Sequence, residues 1–185
     1  MRLEIRVAGF GGQGIIRAGL MLAMAASIHS DKNAVQTQSY GPESRGGACK
    51  SEVVIADEEI DFPKITEPDI LVTMSQQAYD TYIDTLKKSG ILLLDSDLVP
   101  KEKDTPDIRV FRVPATKIAE EVGKTIVANV VMLGALTSLT NLVHSDAIRK
   151  SILSTIPKGT EKLNLEAFKR GYDYGKSLLK QKDTS

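Results

Sequence analysis

Gly9-Phe10-Gly11-Gly12-Gln13-Gly14 follows an apolar run at residues 3–8 and opens a long helix-like segment, so a G-x-G-x-x-G turn sits between a strand and a helix. Glycines in such a turn let the backbone approach a ligand closely. The first amides of the helix behind it point outward unpaired, and a phosphate or carboxylate fits that concavity. A turn of this kind also serves simply to pack a helix tightly on a sheet, so the surrounding sequence must decide between the two.

Working outward, the helix pattern at residues 13–30 is followed by a break at Asp31-Lys32-Asn33 and a second strand pattern at 34–38. This is a βαβ order, which places the first two strands side by side in a parallel sheet. Residues 15–28 are apolar on nearly all sides, which predicts a buried central helix. The run is too short for a membrane span and carries Arg17. After the second strand, Tyr40-Gly41-Pro42-Glu43-Ser44-Arg45-Gly46-Gly47 is a run of turn formers with two ionisable residues in it, and reads as a functional loop. Strand patterns return at 51–56, 69–75, 91–95 and 108–113, and a surface connection covers 57–68. Helices are expected at 77–88 (ended by Gly90), 115–122 and 129–142, from Ser145 as a cap, and at 164–179. The interleaving predicts one α/β domain, three-layer α/β/α and Rossmann-like, with a largely parallel sheet over residues 1–179 and a flexible tail at 180–185.

Lysine plus arginine balance aspartate plus glutamate at 24 each in 185 residues, which removes the field that would hold the chain on nucleic acid or an anionic membrane. One cysteine, Cys49, rules out an internal disulfide and an iron-sulfur cluster ligated by this chain alone; with only His29 and His144 it offers no metal-ligand spacing. Cys49 reads as a packing residue, His144 as a surface or capping residue, and His29 as the end of the buried helix. No basic and apolar leader is visible, so the expected compartment is the cytoplasm.

An ordinary nicotinamide-binding domain ends its second strand on an acidic residue that holds the ribose hydroxyls. Gln36, Gln38, Ser39 and Tyr40 stand there instead, and Asp31 precedes the strand. The two glycine loops are expected at the carboxyl ends of neighbouring strands. Their amides, the Arg45 guanidinium, the Gln13 amide and the Tyr40 phenol then share one rim suited to a phosphorylated ligand. Arg45 paired with Glu43 is as consistent with the residues as ligand binding, and Glu43, considered as a general base, reads rather as a group that fixes the loop.

The two loops together, with the strand at 51–55, Pro68-Asp69-Ile70-Leu71, Asn129-Val130-Val131-Met132-Leu133-Gly134 and residues 164–171, resemble the gamma subunit of the 2-oxoacid:ferredoxin oxidoreductases across nearly the whole chain. The resemblance implies an enzyme that decarboxylates a 2-oxoacid on thiamine diphosphate, passes electrons through iron-sulfur clusters to ferredoxin and transfers the acyl group to coenzyme A. The thiamine and the clusters belong to alpha, beta and delta-type partner subunits. Carried over by position, Gly11, Gly12, Gln13 and Gly14 form one cofactor-binding loop and Tyr40, Glu43, Ser44 and Arg45 the other, toward coenzyme A, with no catalytic or metal-binding residue in this chain. The role implied is orientation of the thiol rather than bond-making chemistry. The 2-oxoacid leans to 2-oxoglutarate, and the isolated chain is expected to be inert and to dimerise through an apolar face. The alternatives are a scaffold subunit whose loops only pack against partners, and an autonomous nucleotide-binding protein.

Overall fold

The computed structural model describes residues 1–39 and 48–182, and the side chains of all of these except Ala48 and Lys182. The apolar run before the glycine loop forms β1 (Arg2–Phe10), and α1 (Ile15–His29) leads to β2 (Asn33–Ser39). The chain continues through β3 (Ala48–Ala56), β4 (Ile70–Thr73), α2 (Gln76–Tyr82), β5 (Ile91–Asp95) and β6 (Arg109–Val113). Four helices close it: α3 (Ala115–Val122), α4 (Ala128–Thr140), α5 (Ser145–Thr155) and α6 (Glu161–Lys182). The last extends to Lys182, beyond the predicted end at 179. Among the described residues, no helix is long and apolar enough to cross a membrane.

The sheet order is β2-β3-β1-β4-β5-β6. β1, β4, β5 and β6 are parallel, while β3 is antiparallel to both β1 and β2, so the sheet is mixed, with β3 alone running against the rest. The expectation that β1 and β2 are neighbours is therefore corrected. The βαβ crossover leaves a gap of one strand width, and β3 returns from β2 to fill it. The shared rim does not depend on adjacency: Phe10 is opposite Ala48 and Ser39 opposite Lys50, so the ends of β1 and β2 flank the start of β3.

Alternation along the strands builds three layers. Ile70, Val72, Leu93, Phe111 and Val113 face a large core closed by α1, α3, α4, α5 and α6. Leu71, Leu92 and Leu94 face the other side, where Tyr79, Ile83 and Leu86 cover them from α2 and the turn after it. The predicted helix 77–88 is shorter than expected: a 3-10 turn, Ile83–Thr85, ends it, the Thr85 hydroxyl donates to the Tyr82 carbonyl, and the positive φ of 63° falls on Ser89 rather than Gly90.

Two features escape the pattern of hydrophobicity. The first strand, read as apolar, carries Arg6 on its α2 side, where it is almost wholly buried against Glu52 of β3 at 2.6 Å, the Thr85 hydroxyl at 2.6 Å and the Ile65 carbonyl at 3.1 Å. Such a pair holds its geometry because each hydrogen-bonding group has a partner, whereas removing one side leaves a buried charge. The helix surrounded on all sides is α4, not α1 as expected. From Ala128 to Ser138 every residue of α4 is buried, while α1 leaves Leu20 and Ile28 exposed. α4 packs closely on α6 because Gly134 and Gly171 admit the other helix's backbone: a Cβ on Gly171 would lie 1.9 Å from the Val131 carbonyl oxygen. At α5 the cap is His144 rather than Ser145, its Nδ1 accepting from the Asp146 amide at 3.4 Å.

Candidate functional site

The glycine turn is built from both of its ends. The Gln13 side chain accepts from the Phe10 amide at 2.9 Å and donates to the Met74 carbonyl at 2.7 Å, tying the loop across to the residue after β4. Gln13, expected to face a ligand, thus has both ends of its amide engaged by backbone. At the far end Gly14 has φ 75°, and a Cβ there would come 2.4 Å from Asn129 Nδ2, which donates to the Gly14 carbonyl at 3.1 Å. Asn129, nine-tenths buried at the start of α4, therefore pins the entry of α1. In the sequence it falls within the late apolar helix pattern, where a polar residue at the head of an otherwise apolar run is the signal that marks it.

Between these anchors the backbone is uncovered by the described residues. A Cβ on Gly11 or Gly12 would meet none of the described residues within 4 Å, and Gly12 has φ 92°. Gly12 is explained by its conformation, but neither packing against the described residues nor a positive φ requires glycine at Gly11. A groove with an empty volume of about 770 Å³ runs over both residues, bounded by Leu98, Thr116, Thr125 and Ile126. A second hollow, about 1000 Å³, lies on the α1 side against Arg17, Leu20 and Cys49. Phe10, Leu20 and Ile126 are large apolar side chains exposed around this rim. Arg17 of α1 and Lys124, which precedes the 3-10 turn Thr125–Val127, are exposed and carry no ion pair among the described residues. An apolar groove over the glycine backbone, with Arg17 in the adjoining hollow, suits a long ligand that is part hydrocarbon and part phosphate.

Asp95 ends β5 at the same edge, fully buried. It accepts from the Thr116 hydroxyl at 2.7 Å, the Thr116 amide at 3.1 Å and the Asp97 amide at 3.0 Å. Burial pushes its carboxyl above the ordinary value, with the Thr116 hydroxyl the main opposing influence. With Asp97 accepting from the Lys117 amide at 2.8 Å, these two carboxylates do for α3 what Pro114 at its N-terminus cannot. The Thr116 hydroxyl gives its proton to Asp95 and lines the groove, so toward a ligand it is an acceptor. The half-buried Cys49 thiol is also raised by burial, which keeps it protonated and disfavours an acyl-carrier role.

Of the residues expected to bind a cofactor, Gly11, Gly12 and Gly14 lie together at the groove with Gln13 fastening them. Tyr40, Glu43, Ser44 and Arg45 lie outside the described residues; the strands that carry their loop end at the same rim. Among the described residues no group of three His, Cys, Asp or Glu could hold a metal ion.

The family model described as pyruvate ferredoxin/flavodoxin oxidoreductase matches residues 4–174. The 2-oxoglutarate synthase subunit KorC of Methanocaldococcus jannaschii is 58% identical over 180 residues, covering 96% of this chain and 96% of that protein. Among solved structures, the gamma subunit of a keto/oxoacid ferredoxin oxidoreductase from Geobacter sulfurreducens PCA superposes with a TM-score of 0.86 at 44% identity, covering 95% of this chain and 99% of its own. The 2-oxoglutarate:ferredoxin oxidoreductase from Magnetococcus marinus, solved with 2-oxoglutarate, coenzyme A and succinyl-CoA bound, matches at a TM-score of 0.85 and 26% identity over 95% of this chain and 31% of that one.

Proposed function

The chain belongs to the pyruvate ferredoxin/flavodoxin oxidoreductase family, and from that premise we propose that it is the gamma subunit of a cytoplasmic 2-oxoglutarate:ferredoxin oxidoreductase whose glycine groove holds part of coenzyme A. The assembled enzyme releases the C1 carboxylate of 2-oxoglutarate as CO₂, passes two electrons to ferredoxin and joins the remaining acyl group to the coenzyme A thiol as succinyl-CoA. Thiamine diphosphate, when bound in a partner subunit, stabilises the carbanion left by decarboxylation. The clusters also belong to partners, because one cysteine does not ligate an iron-sulfur cluster. Alpha, beta and delta-type chains supply the rest of the site, and residues 1–179 act as one gamma-type domain.

The observation that carries this reading is the backbone at Gly11 and Gly12, open among the described residues, with Arg17 lining the hollow on the α1 side and Lys124 preceding Thr125 at the groove. The groove admits a narrow flexible arm close to the main chain, Thr116 accepts a hydrogen bond from an amide of that arm, and Arg17 and Lys124 attract its phosphates. The residues of the second loop, Tyr40, Glu43, Ser44 and Arg45, complete the rim in this proposal. Their contribution is to hold the thiol at a fixed place and angle before reaction, so the chemistry is accelerated by position.

The test is the complex assembled from this chain and the products of its adjoining reading frames. Ferredoxin reduction should require coenzyme A and proceed fastest with 2-oxoglutarate among 2-oxoglutarate, pyruvate, 2-oxoisovalerate and indolepyruvate, and the isolated chain should be inactive. Preference for another 2-oxoacid, or activity of the isolated chain, overturns the assignment. A second reading is favoured by exposed Phe10, Leu20 and Ile126, which suit a covering protein surface: a scaffold role without ligand contact. It predicts that Gly11→Val leaves the KM for coenzyme A unchanged.

A further inference from the structure

The turns that follow β1 and β4 leave the sheet on opposite sides. The two strands are parallel neighbours, yet β1 leads into α1 in the large core, whereas β4 leads through Ser75 into α2 on the other face. Such a reversal opens a crevice beyond the carboxyl ends of the strands, where open α/β sheets take their ligands. Here the Gln13 side chain spans it. On the β1 side its Oε1 accepts from the Phe10 amide at 2.9 Å, and on the β4 side its Nε2 donates to the Met74 carbonyl at 2.7 Å. The Met74 amide still donates to the Ala8 carbonyl at 2.9 Å, so the clamp takes over where the pairing of β1 with β4 ends. The main-chain amide of Gln13 donates to the Phe10 carbonyl at 3.3 Å and closes the turn on itself. Gly9 makes room for the clamp: it has no positive φ, but a Cβ there would lie 2.3 Å from Gln13 Oε1 and 2.7 Å from Ile15 Cδ1.

We propose that Gln13 is a positioning residue for coenzyme A: by filling the crevice it turns the ligand outward onto Gly11 and Gly12, and by bridging β1 to the turn after β4 it fixes their backbone in one place. The proposal rests on the reading that coenzyme A lies along the glycine groove. It changes the part Gln13 plays there from touching the ligand to holding the surface on which the ligand lies. A primary amide is the group this place asks for. Phe10 presents a donor and Met74 an acceptor, and a neutral amide offers the complement of each at the end of one side chain. A glutamate of the same length satisfies Phe10 but, when ionised, sets an oxygen against the Met74 carbonyl, and a methionine satisfies neither. Each bond has the modest net value of an ordinary hydrogen bond. They act, however, on two successive glycines that no side-chain packing among the described residues holds in place.

Kinetics of the assembled complex test this, together with hydrogen exchange on the same complex free of coenzyme A. Gln13→Met should raise the KM for coenzyme A about tenfold, on the scale of one or two lost hydrogen bonds. It should leave the KM for 2-oxoglutarate unchanged and speed exchange of the Phe10 amide before any ligand is added. Gln13→Glu should match that rise in KM at about pH 8 and lose most of it, relative to wild type at the same pH, as the pH falls to about 5. The carboxyl beside the Met74 carbonyl ionises above its ordinary value of about 4.3, and once protonated it donates to that carbonyl as the amide does. If Gln13→Met leaves the coenzyme A KM unchanged while Gly11→Val raises it, the positioning role is overturned and the groove reading stands. If Gly11→Val leaves it unchanged, the groove reading falls and this proposal with it. A raised KM with Phe10 exchange unchanged makes Gln13 a direct ligand contact and overturns the proposal. A Gln13→Glu defect that does not vary with pH, or a Gln13→Met defect equal for both substrates, overturns it as well.

Discussion

Glycines at the α4–α6 crossing and glycines at the rim of β1 are the same residue put to opposite uses. At the crossing the space a side chain would take is filled by backbone of the neighbouring helix, 1.9 Å from a Gly171 Cβ and 2.2 Å from one on Gly134. At Gly11 and Gly12 none of the described residues fills that space. A glycine explained by its own protein's packing says nothing about ligands. One that packs against none of the described residues and has no positive φ, as at Gly11, leaves room for the second loop or a ligand.

Substitutions at the two regions sharpen this contrast. Gly171→Ala should have the largest effect, a loss of about 3 kcal/mol or more in chemical denaturation, because neither helix backbone can yield without separating the pair. A loss below about 0.5 kcal/mol, the level of an ordinary surface change, would mean that the crossing adjusts and the contrast fails. Gly14→Ala stands between the regions. Its positive φ and the clash with Asn129 predict a loss of about 2 kcal/mol, along with a rise in the coenzyme A KM of the complex as the loop loses its anchor. Gly11→Ala should leave the midpoint of denaturation within about 0.5 kcal/mol of wild type while raising that KM. A fall in stability with KM unchanged would place Gly11 among the packing glycines.

The smallest effect is expected at an exposed control far from the rim. Lys32 and the N-terminal ammonium hold the Asp57 carboxyl down at about 2, from an ordinary 3.8. A lowered carboxylate adds stability that is present above the ordinary value and lost as pH falls through the lowered one. Asp57→Asn should therefore flatten only the stretch of the stability–pH curve between about 4 and about 2. Any effect of this variant on coenzyme A kinetics would show that distant surface changes reach the rim, and would weaken the inference from Gly11.

Much of the architecture was legible because strand and helix periodicities are local. Residues 91–95 and 115–122 match β5 and α3 to the residue, and the glycine turn falls between a strand and a helix as expected. The position of β3 was not legible, since a chain that turns back after β2 can pair on either of its sides. The buried Arg6–Glu52 pair was hidden for the same reason: its members lie 46 residues apart, and each alone looks like an exposed charge on an alternating strand. The site divided likewise. Gly11, Gly12 and Gly14 announce themselves by spacing, whereas Asn129 and Lys124 reach the neighbourhood from the head of α4 and the turn before it, and nothing near them in sequence says so.

By itself the sequence determined that a glycine-rich turn joins the first strand to a helix, that the missing acidic residue after the second strand argues against a nicotinamide ribose, and that one cysteine cannot ligate a cluster alone. These depend on residue identity and short-range order, which the chain carries in any conformation. Which glycines are filled and which are open, that Gln13 is fastened to backbone, and that Asn129 pins the entry of α1 were decided only by the tertiary structure. Those are facts about space between segments far apart in sequence, and that space exists only once the helices have packed on the sheet.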